Sequence, residues 1–359
     1  MNPRERLIKT LDHEEPDRIP LTARFWLDTE VKLRKFYGVS TNDELLEKLG
    51  IEPGRAFIKI GPPRGWKPSK EYQGFCDAIG YDSSDQYTTY EEWGIERRLG
   101  SQAENRLLRQ FYFTKHPWEE FSEVSQIEEL VLPDLSDPKR FENPRRIVKD
   151  LGDARLIFAD IGHCQWTKAW ELRGMMTFMK DLHLNRKMAE AVLDRLNEYY
   201  CEMIDRLFDM GAEGVRLSED WGNNKSMFIN PVLWREIFKP RYQKLFERAK
   251  RRNGFVMFHS DGNITPIVKD LVEIGIDILN PIQPECMDQI EVKKKYGDKI
   301  TLDTGISVQK TLPFGSTSEV KREALKTIKN LAPGGGFVYG TSHYALYDVP
   351  VENITKIYD

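Results

Sequence analysis

Val256-Met257-Phe258-His259-Ser260-Asp261-Gly262-Asn263 is an apolar run that ends in an imidazole and a carboxylate two residues apart. A run of this kind reads as a buried parallel strand, and the polar groups just beyond it sit where such strands open into a pocket. Enzymes keep their chemistry there.

Similar runs recur along the chain. They fall at Arg18–Arg24, Arg55–Ile60, Arg155–Asp160, Gly214–Ser218, Phe255–His259, Asp277–Asn280, Lys299–Asp303 and Gly336–Gly340. In the second half nearly every run precedes a stretch of helical periodicity, over Lys187–Met210, Pro231–Arg251, Ile264–Ile274, Met287–Tyr296, Thr317–Leu331 and Pro350–Tyr358. Alternation of this type means βα units and a parallel sheet. Eight runs predict an α/β fold of the (β/α)8 TIM-barrel type. A doubly wound sheet would more typically carry a glycine-rich GxGxxG turn after its first strand, and none is present.

Asn2 before Pro3, with Leu7 and Leu11 four apart, predicts a short opening helix. Residues 61–141 are crowded with Gly, Pro and aromatic residues, and Glu92–Arg98 with Arg106–Thr114 looks like a β-hairpin. We expect this segment to be an insertion capping the barrel, within one domain spanning 1–359. Pro333-Gly334-Gly335-Gly336 lacks the Lys-Ser/Thr of a phosphate loop and precedes a strand, so it is assigned to a tight turn.

With 53 basic and 57 acidic residues the net charge is −4, which gives no electrostatic reason to expect nucleic acid or an anionic membrane as partner. No stretch approaches the roughly 18 apolar residues of a membrane span. Cys76, Cys164, Cys201 and Cys286 are far apart and form no CxxC pair, so disulfides are not expected and the expected location is cytoplasmic.

In a barrel, catalytic groups sit at the C-terminal ends of the strands, so the residues just past each apolar run are the candidates. Here they are Arg24, then Asp160 and His163, Glu219 and Asp220, His259 and Asp261, Asn280 and Gln283, Asp303, and finally Ser342 and His343. Singly, several have plain structural roles, since Asp and Asn cap helices and make turns. We read Asp303 and Asn280 first in that way.

Together, Glu219, Asp220, His259 and Asp261 come from adjacent strand ends. Carboxylates beside an imidazole shift one another's pKa, which suits acid–base work or a divalent metal. Glu219, His259 and Asp261 are therefore candidate catalytic groups and candidate ligands of a divalent ion, with zinc among those that accept N and O donors. His343 is a second acid, a ligand, or a residue closing the barrel by a backbone hydrogen bond. The aromatic set Trp26, Trp66, Tyr81, Trp93, Trp166, Trp170, Trp221 and Tyr344 is rich enough to line a pocket for a flat substrate.

Several motifs resemble the uroporphyrinogen decarboxylase superfamily, and within it the methyltransferases of corrinoid-dependent methyl transfer. They are Asn2-Pro3-Arg4-Glu5-Arg6, Pro16-Asp17-Arg18-Ile19-Pro20, Glu92-Trp93-Gly94-Ile95, Glu219-Asp220-Trp221-Gly222, His259-Ser260-Asp261-Gly262-Asn263, Leu279-Asn280-Pro281-Ile282-Gln283-Pro284, Pro333-Gly334-Gly335-Gly336-Phe337 and Pro350-Val351-Glu352-Asn353-Ile354. The resemblance implies a (β/α)8 barrel with its site at the C-terminal mouth.

Decarboxylases of the family hold a tetrapyrrole's carboxylates with paired arginines after the first strand. The corresponding Leu21–Asp28 segment has Arg24 alone, which weighs against a uroporphyrinogen decarboxylase-type lyase, the alternative reading. Thiol-directed methyltransferases of the family bind zinc through His-x-Cys and a later Cys. Here His259 keeps its place, Asp261 replaces the first cysteine, and Gly335 falls where the second belongs.

What remains resembles the branch that demethylates oxygen or nitrogen. That resemblance implies a small-molecule methyl donor, methoxylated aromatic or methylamine-like, and transfer to the cobalamin of a separate corrinoid-binding protein. Displacing an aryl ether's methyl leaves a phenolate, so a proton or Lewis acid must meet the oxygen. Glu219, His259, Asp261 and His343 are the groups expected to supply it. Arg24, Trp26, Trp166, Asp220, Asn280, Gln283 and Tyr344 are expected to bind the donor, and a homodimer is kept as a candidate assembly.

Overall fold

The computed structural model describes residues 1–63, 65–67, 70–79, 91–99 and 111–359. Its main sheet is built from the apolar runs. β1 is Arg55–Ile58, β4 Leu156–Gly162, β5 Gly214–Glu219, β6 Phe255–Ser260, β7 Ile278–Asn280, β8 Thr301–Ile306 and β9 Phe337–Thr341. All pair in parallel in the order β1-β4-β5-β6-β7-β8-β9, so seven strands curl into a barrel-like wall.

The expected strand at Arg18–Arg24 is not a strand. Leu21 bridges Tyr339 and Phe25 bridges Ala345, both in parallel. The two bridges are four residues apart on one side and six on the other, so no continuous ladder can form. Pro20 also lacks an N–H to donate. The eighth position is thus an irregular segment beside β9, tied by Thr22 N–H to Tyr339 O and Ala345 N–H to Arg24 O.

Outside the main sheet, β2 (Glu96–Leu99) pairs antiparallel with β3 (Phe111–Lys115). The residues joining them, and most of the expected Arg106–Thr114 strand, lie outside the described residues, as does Tyr81. The opening helix is Pro3–Leu11, with a reciprocal cap between Asn2 and Glu5. The expected helix over 231–251 is divided into Pro231–Ile237 and Lys239–Lys250, with Pro240 in the first turn of the second.

Strand alternation divides the side chains into two sets. Val215, Leu217, Val256 and Phe258 pack outward into the core shared with the helices. Leu156, Phe158, Met257, Ile278 and Val338 point inward and, with Leu7 and Leu11 of the opening helix, form a second cluster plugging the barrel's N-terminal end. Continuing the inward parity toward the C-terminal end gives Asp160, Ser218, Asp220, His259, Asp261 and Asn280. The fold therefore aims those polar groups at one mouth. Among the described residues no helix is long and apolar enough to cross a membrane.

Candidate active site

His259 is the inward residue one turn of the pleat above Met257, and 8% of it is exposed. Its Nδ1 lies 2.7 Å from Asn280 Oδ1, while Asn280 Nδ2 donates to the Asp303 carbonyl at 2.8 Å. That second bond fixes which end of the amide is oxygen, so His259 Nδ1 must carry the proton and Nε2 the lone pair. Burial holds the His259 pKa down, to about 3, so the ring is neutral.

The lone pair on Nε2 faces Asp261, whose Oδ1 is 3.7 Å away and buried without a hydrogen-bond partner. Asp261 Oδ2 sits 2.9 Å from His343 Nε2. Burial alone would raise the Asp261 pKa, but His343 and His259 more than offset it, to about 2. Asp220, from the next strand end, moves the other way. Burial first, and Asp261 second, push it up to about 6.

The Asp261 loop is close-packed against its neighbour. Gly262 has φ +80°, and a Cβ there would meet the Gly222 carbonyl at 2.2 Å. Glycine at both 222 and 262 is what lets the loops after β5 and β6 cross, and that crossing sets Asp220 and Asp261 side by side. Gln283 Oε1 accepts the Gly262 N–H at 2.9 Å, holding the same loop from the β7 side.

Two cavities meet at this point. One of ≈ 560 Å³ runs into the barrel and is lined by Arg24, Lys59, Asp160, Arg216, Ser218, Asp220 and His259, with Trp93, Phe113 and Trp170 on the side of β2 and β3. The other, ≈ 350 Å³, is lined by Gly222, Asn223, Asn224, Gly262, Gln283, Gln309 and Tyr347. Trp26, Asp261, His343 and Tyr344 belong to both. Trp26 and Tyr344 meet edge to face at 5.8 Å. A larger surface groove, between the helices Gln289–Tyr296 and Thr317–Leu331, holds none of the strand-end groups.

Glu219 needs correction. It has the parity of Val215 and Leu217, so its carboxylate turns outward to the start of the helix Trp166–Arg173. There it accepts the backbone N–H groups of Gln165 at 2.7 Å and Thr167 at 2.8 Å, and the Cys164 thiol at 3.3 Å. Both oxygens are used, as is usual for an acid at a helix N-terminus. Glu219 is neither in the mouth nor beside Asp261.

Among the described residues, the three groups able to share an ion are instead His259, Asp261 and His343, whose ligand atoms lie within 4.8 Å of one another. The fit is chemical as well as spatial, because a neutral imidazole lone pair and an orphaned carboxylate oxygen face one point.

Trp166 is fully buried, stacked on Trp221 at 5.1 Å, and its indole N–H donates to the Asp220 carbonyl, so it supports the loop without facing substrate as expected of it. Trp66 lines neither cavity. Asn280 is buried and orients His259 instead of touching substrate. Gly335, placed by resemblance at the third ligand position, lies at the opposite end of β9 against Glu14, whereas His343, beyond the C-terminal end of β9, lies beside Asp261. His163 pairs with Glu171 at 2.8 Å; burial opposes its charge but Glu171 wins, and its pKa is raised.

Sequence reasoning missed Lys59 and Arg216. Both flank Asp160, at 3.2 and 3.0 Å. Burial would raise the Asp160 pKa, yet these two cations hold it well below the ordinary range. Arg24 and Arg55 likewise converge on Asp303. The available signal was a charged residue at inward parity in an apolar strand.

Fold and site together define an α/β barrel protein whose polar groups converge on the C-terminal mouth. Residues 112–359, well over half the chain, match the uroporphyrinogen decarboxylase (URO-D) family, and the chain belongs to that family. It is 20% identical over 176 residues to a uroporphyrinogen decarboxylase of Pseudoalteromonas atlantica, covering 47% of this chain and 46% of that one, so the match spans about half the relative's length. Among solved structures it resembles a methyltransferase from Methanosarcina mazei, with TM-score 0.70 and 20% identity over 99% of this chain and 97% of the other. At that identity the likeness speaks for the fold.

Proposed function

We propose that this protein is a methyltransferase that moves a methyl group from a small methylated donor, a methoxylated aromatic or a methylamine-like compound, to the cobalamin of a separate corrinoid-binding protein. The observation that carries the reading is the His259–Asp261–His343 cluster at the junction of two cavities. Donor and acceptor can then approach the same groups from different sides.

The reduced corrinoid would supply the nucleophile. A divalent ion such as zinc, held by His259 Nε2, Asp261 and His343, would supply Lewis acidity to the departing heteroatom. The chain's own residues do the rest. Trp26, Trp170 and Tyr344 wall the donor and exclude water, which holds the methyl carbon in line for displacement. The electron pair of the breaking C–O bond stays on oxygen. The protonated form of Asp220 is the proton source facing that cavity. Asn280 keeps the His259 lone pair aimed at the same point.

The test is transfer from a panel of methoxylated aromatics and methylamines to cob(I)alamin, monitored by absorbance, with metal analysis of the same sample. Methylcobalamin formation that is lost in His259→Ala and Asp261→Ala is expected. No transfer with any donor, in folded protein, would overturn the proposal. The second reading, a tetrapyrrole decarboxylase-type lyase, draws on the Pseudoalteromonas relative; tight binding in a fluorescence titration with uroporphyrin would favour it.

A further inference from the structure

Barrel interiors are ordinarily filled by branched apolar side chains. On one side of this barrel the upper layer is ionic instead. Asp303, fully buried, receives Arg24 at 3.1 Å and also Arg55. Asp160 receives Lys59 at 3.2 Å and Arg216 at 3.0 Å. Four cations thus share two carboxylates, which leaves each group of three with one positive charge in excess.

Among the described residues, the other acids lining the cavity, Glu92, Glu171, Asp220 and Asp261, make no ion pair with these four cations. Glu92 is paired with buried Arg140, Glu171 with Lys168 and His163, and Asp261 with His343. Arg24 and Arg55 each retain one terminal nitrogen, Nη1, that is buried and has no hydrogen-bond partner. The Arg55 side chain is only 8% exposed. A buried guanidinium N–H without an acceptor is costly and calls for an anion.

We infer that the cavity contains an anion subsite, formed by Arg24, Lys59 and Arg216 with Arg55 behind them, that takes the carboxylate of the substrate. The cations come from the first segment, from β1 and its end, and from β5, so the subsite exists only in the folded barrel. Under the methyltransferase reading, on which the word donor rests, this selects among donor classes. A ring bearing both a methoxyl and a carboxylate spans from the cationic wall to His343 and Asp261, across a cavity walled by Trp93 and Trp170. A methylammonium donor would bring a positive charge to a wall that already has an excess.

The experiment compares three probes that share one ring: 4-methoxybenzoate, methoxybenzene and 4-methoxybenzylammonium. Each is titrated calorimetrically into the purified full chain at low salt. The anion is expected to bind about tenfold more tightly than the neutral ether, and the cation more weakly still. Lys59→Gln and Arg216→Gln should each remove most of the anion's advantage while leaving methoxybenzene unchanged. Lys59 is 55% exposed, so its variant does not disturb the core, and Arg322→Gln on the surface is the control.

Equal affinities, the reverse order, unchanged variants, or no binding by protein that melts cooperatively would each overturn the subsite. Methyl transfer measured on the same samples separates the two proposals. Anion-selective binding without transfer leaves the subsite standing and removes the methyltransferase reading; transfer without anion selectivity does the opposite.

Discussion

His259 donates its Nδ1 proton to Asn280 Oδ1 across 2.7 Å, and the bond works only because Asn280 is itself held by the Asp303 carbonyl. The chain of contacts ends in the salt bridges of Asp303 with Arg24 and Arg55. The orientation of one imidazole is therefore set by residues on three neighbouring strands, none of which reaches substrate through that bond.

Imidazole nitrogen NMR should detect one neutral tautomer of His259, protonated on Nδ1, from pH 8 down to about 4. A ring that titrates near its ordinary pKa would contradict the burial-driven depression. In Asn280→Ala the tautomer preference is expected to be lost and zinc affinity, read by chelator competition, to fall about 10- to 100-fold.

Glu219→Ala should cost about 3 kcal/mol in denaturant unfolding, because it strands buried N–H groups of Gln165 and Thr167. Zinc affinity per folded molecule should not change. The opposite pattern, lost metal with intact stability, would return Glu219 to the ligand set.

Asp220 has a pKa raised to about 6, so the native state holds a proton that the unfolded chain releases near 4. Its contribution is fully present below the unfolded pKa and is lost as pH rises through about 6. Asp220→Asn should accordingly be more stable than the parent at pH 7 and close to it at pH 4. Unfolding curves across that range would fail the argument if the two proteins ran parallel.

Trp166 and Trp26 should separate cleanly. Trp166→Ala removes a fully buried ring and should cost about 3–5 kcal/mol. Trp26→Ala should cost about 1 kcal/mol or less, and should weaken binding of a methoxylated aromatic in titration. A stability loss of equal size in both would place Trp26 in the core.

Seven of the eight expected strands lie within a few residues of their expected positions, because buried parallel strands are written as local apolar runs. The eighth failed where pairing depends on a partner, since the spacing of Leu21 and Phe25 against Tyr339 and Ala345 is invisible in either segment alone. The His-x-Asp pair was legible because residues two apart on a strand share a face. Glu219 was misread although the same parity rule, counted from Val215 and Leu217, turns it outward.

The partners of His343, Lys59 and Arg216 were decided only in three dimensions. The sequence by itself determined which residues form strands and which ends are polar, since those depend on local hydrophobicity and periodicity. Tertiary structure alone decided which charges meet, because curling the sheet brings residues from β1, β4, β5, β6 and the chain after β9 into one low-dielectric space. Hydrogen-bond direction, burial and charge balance have values only there.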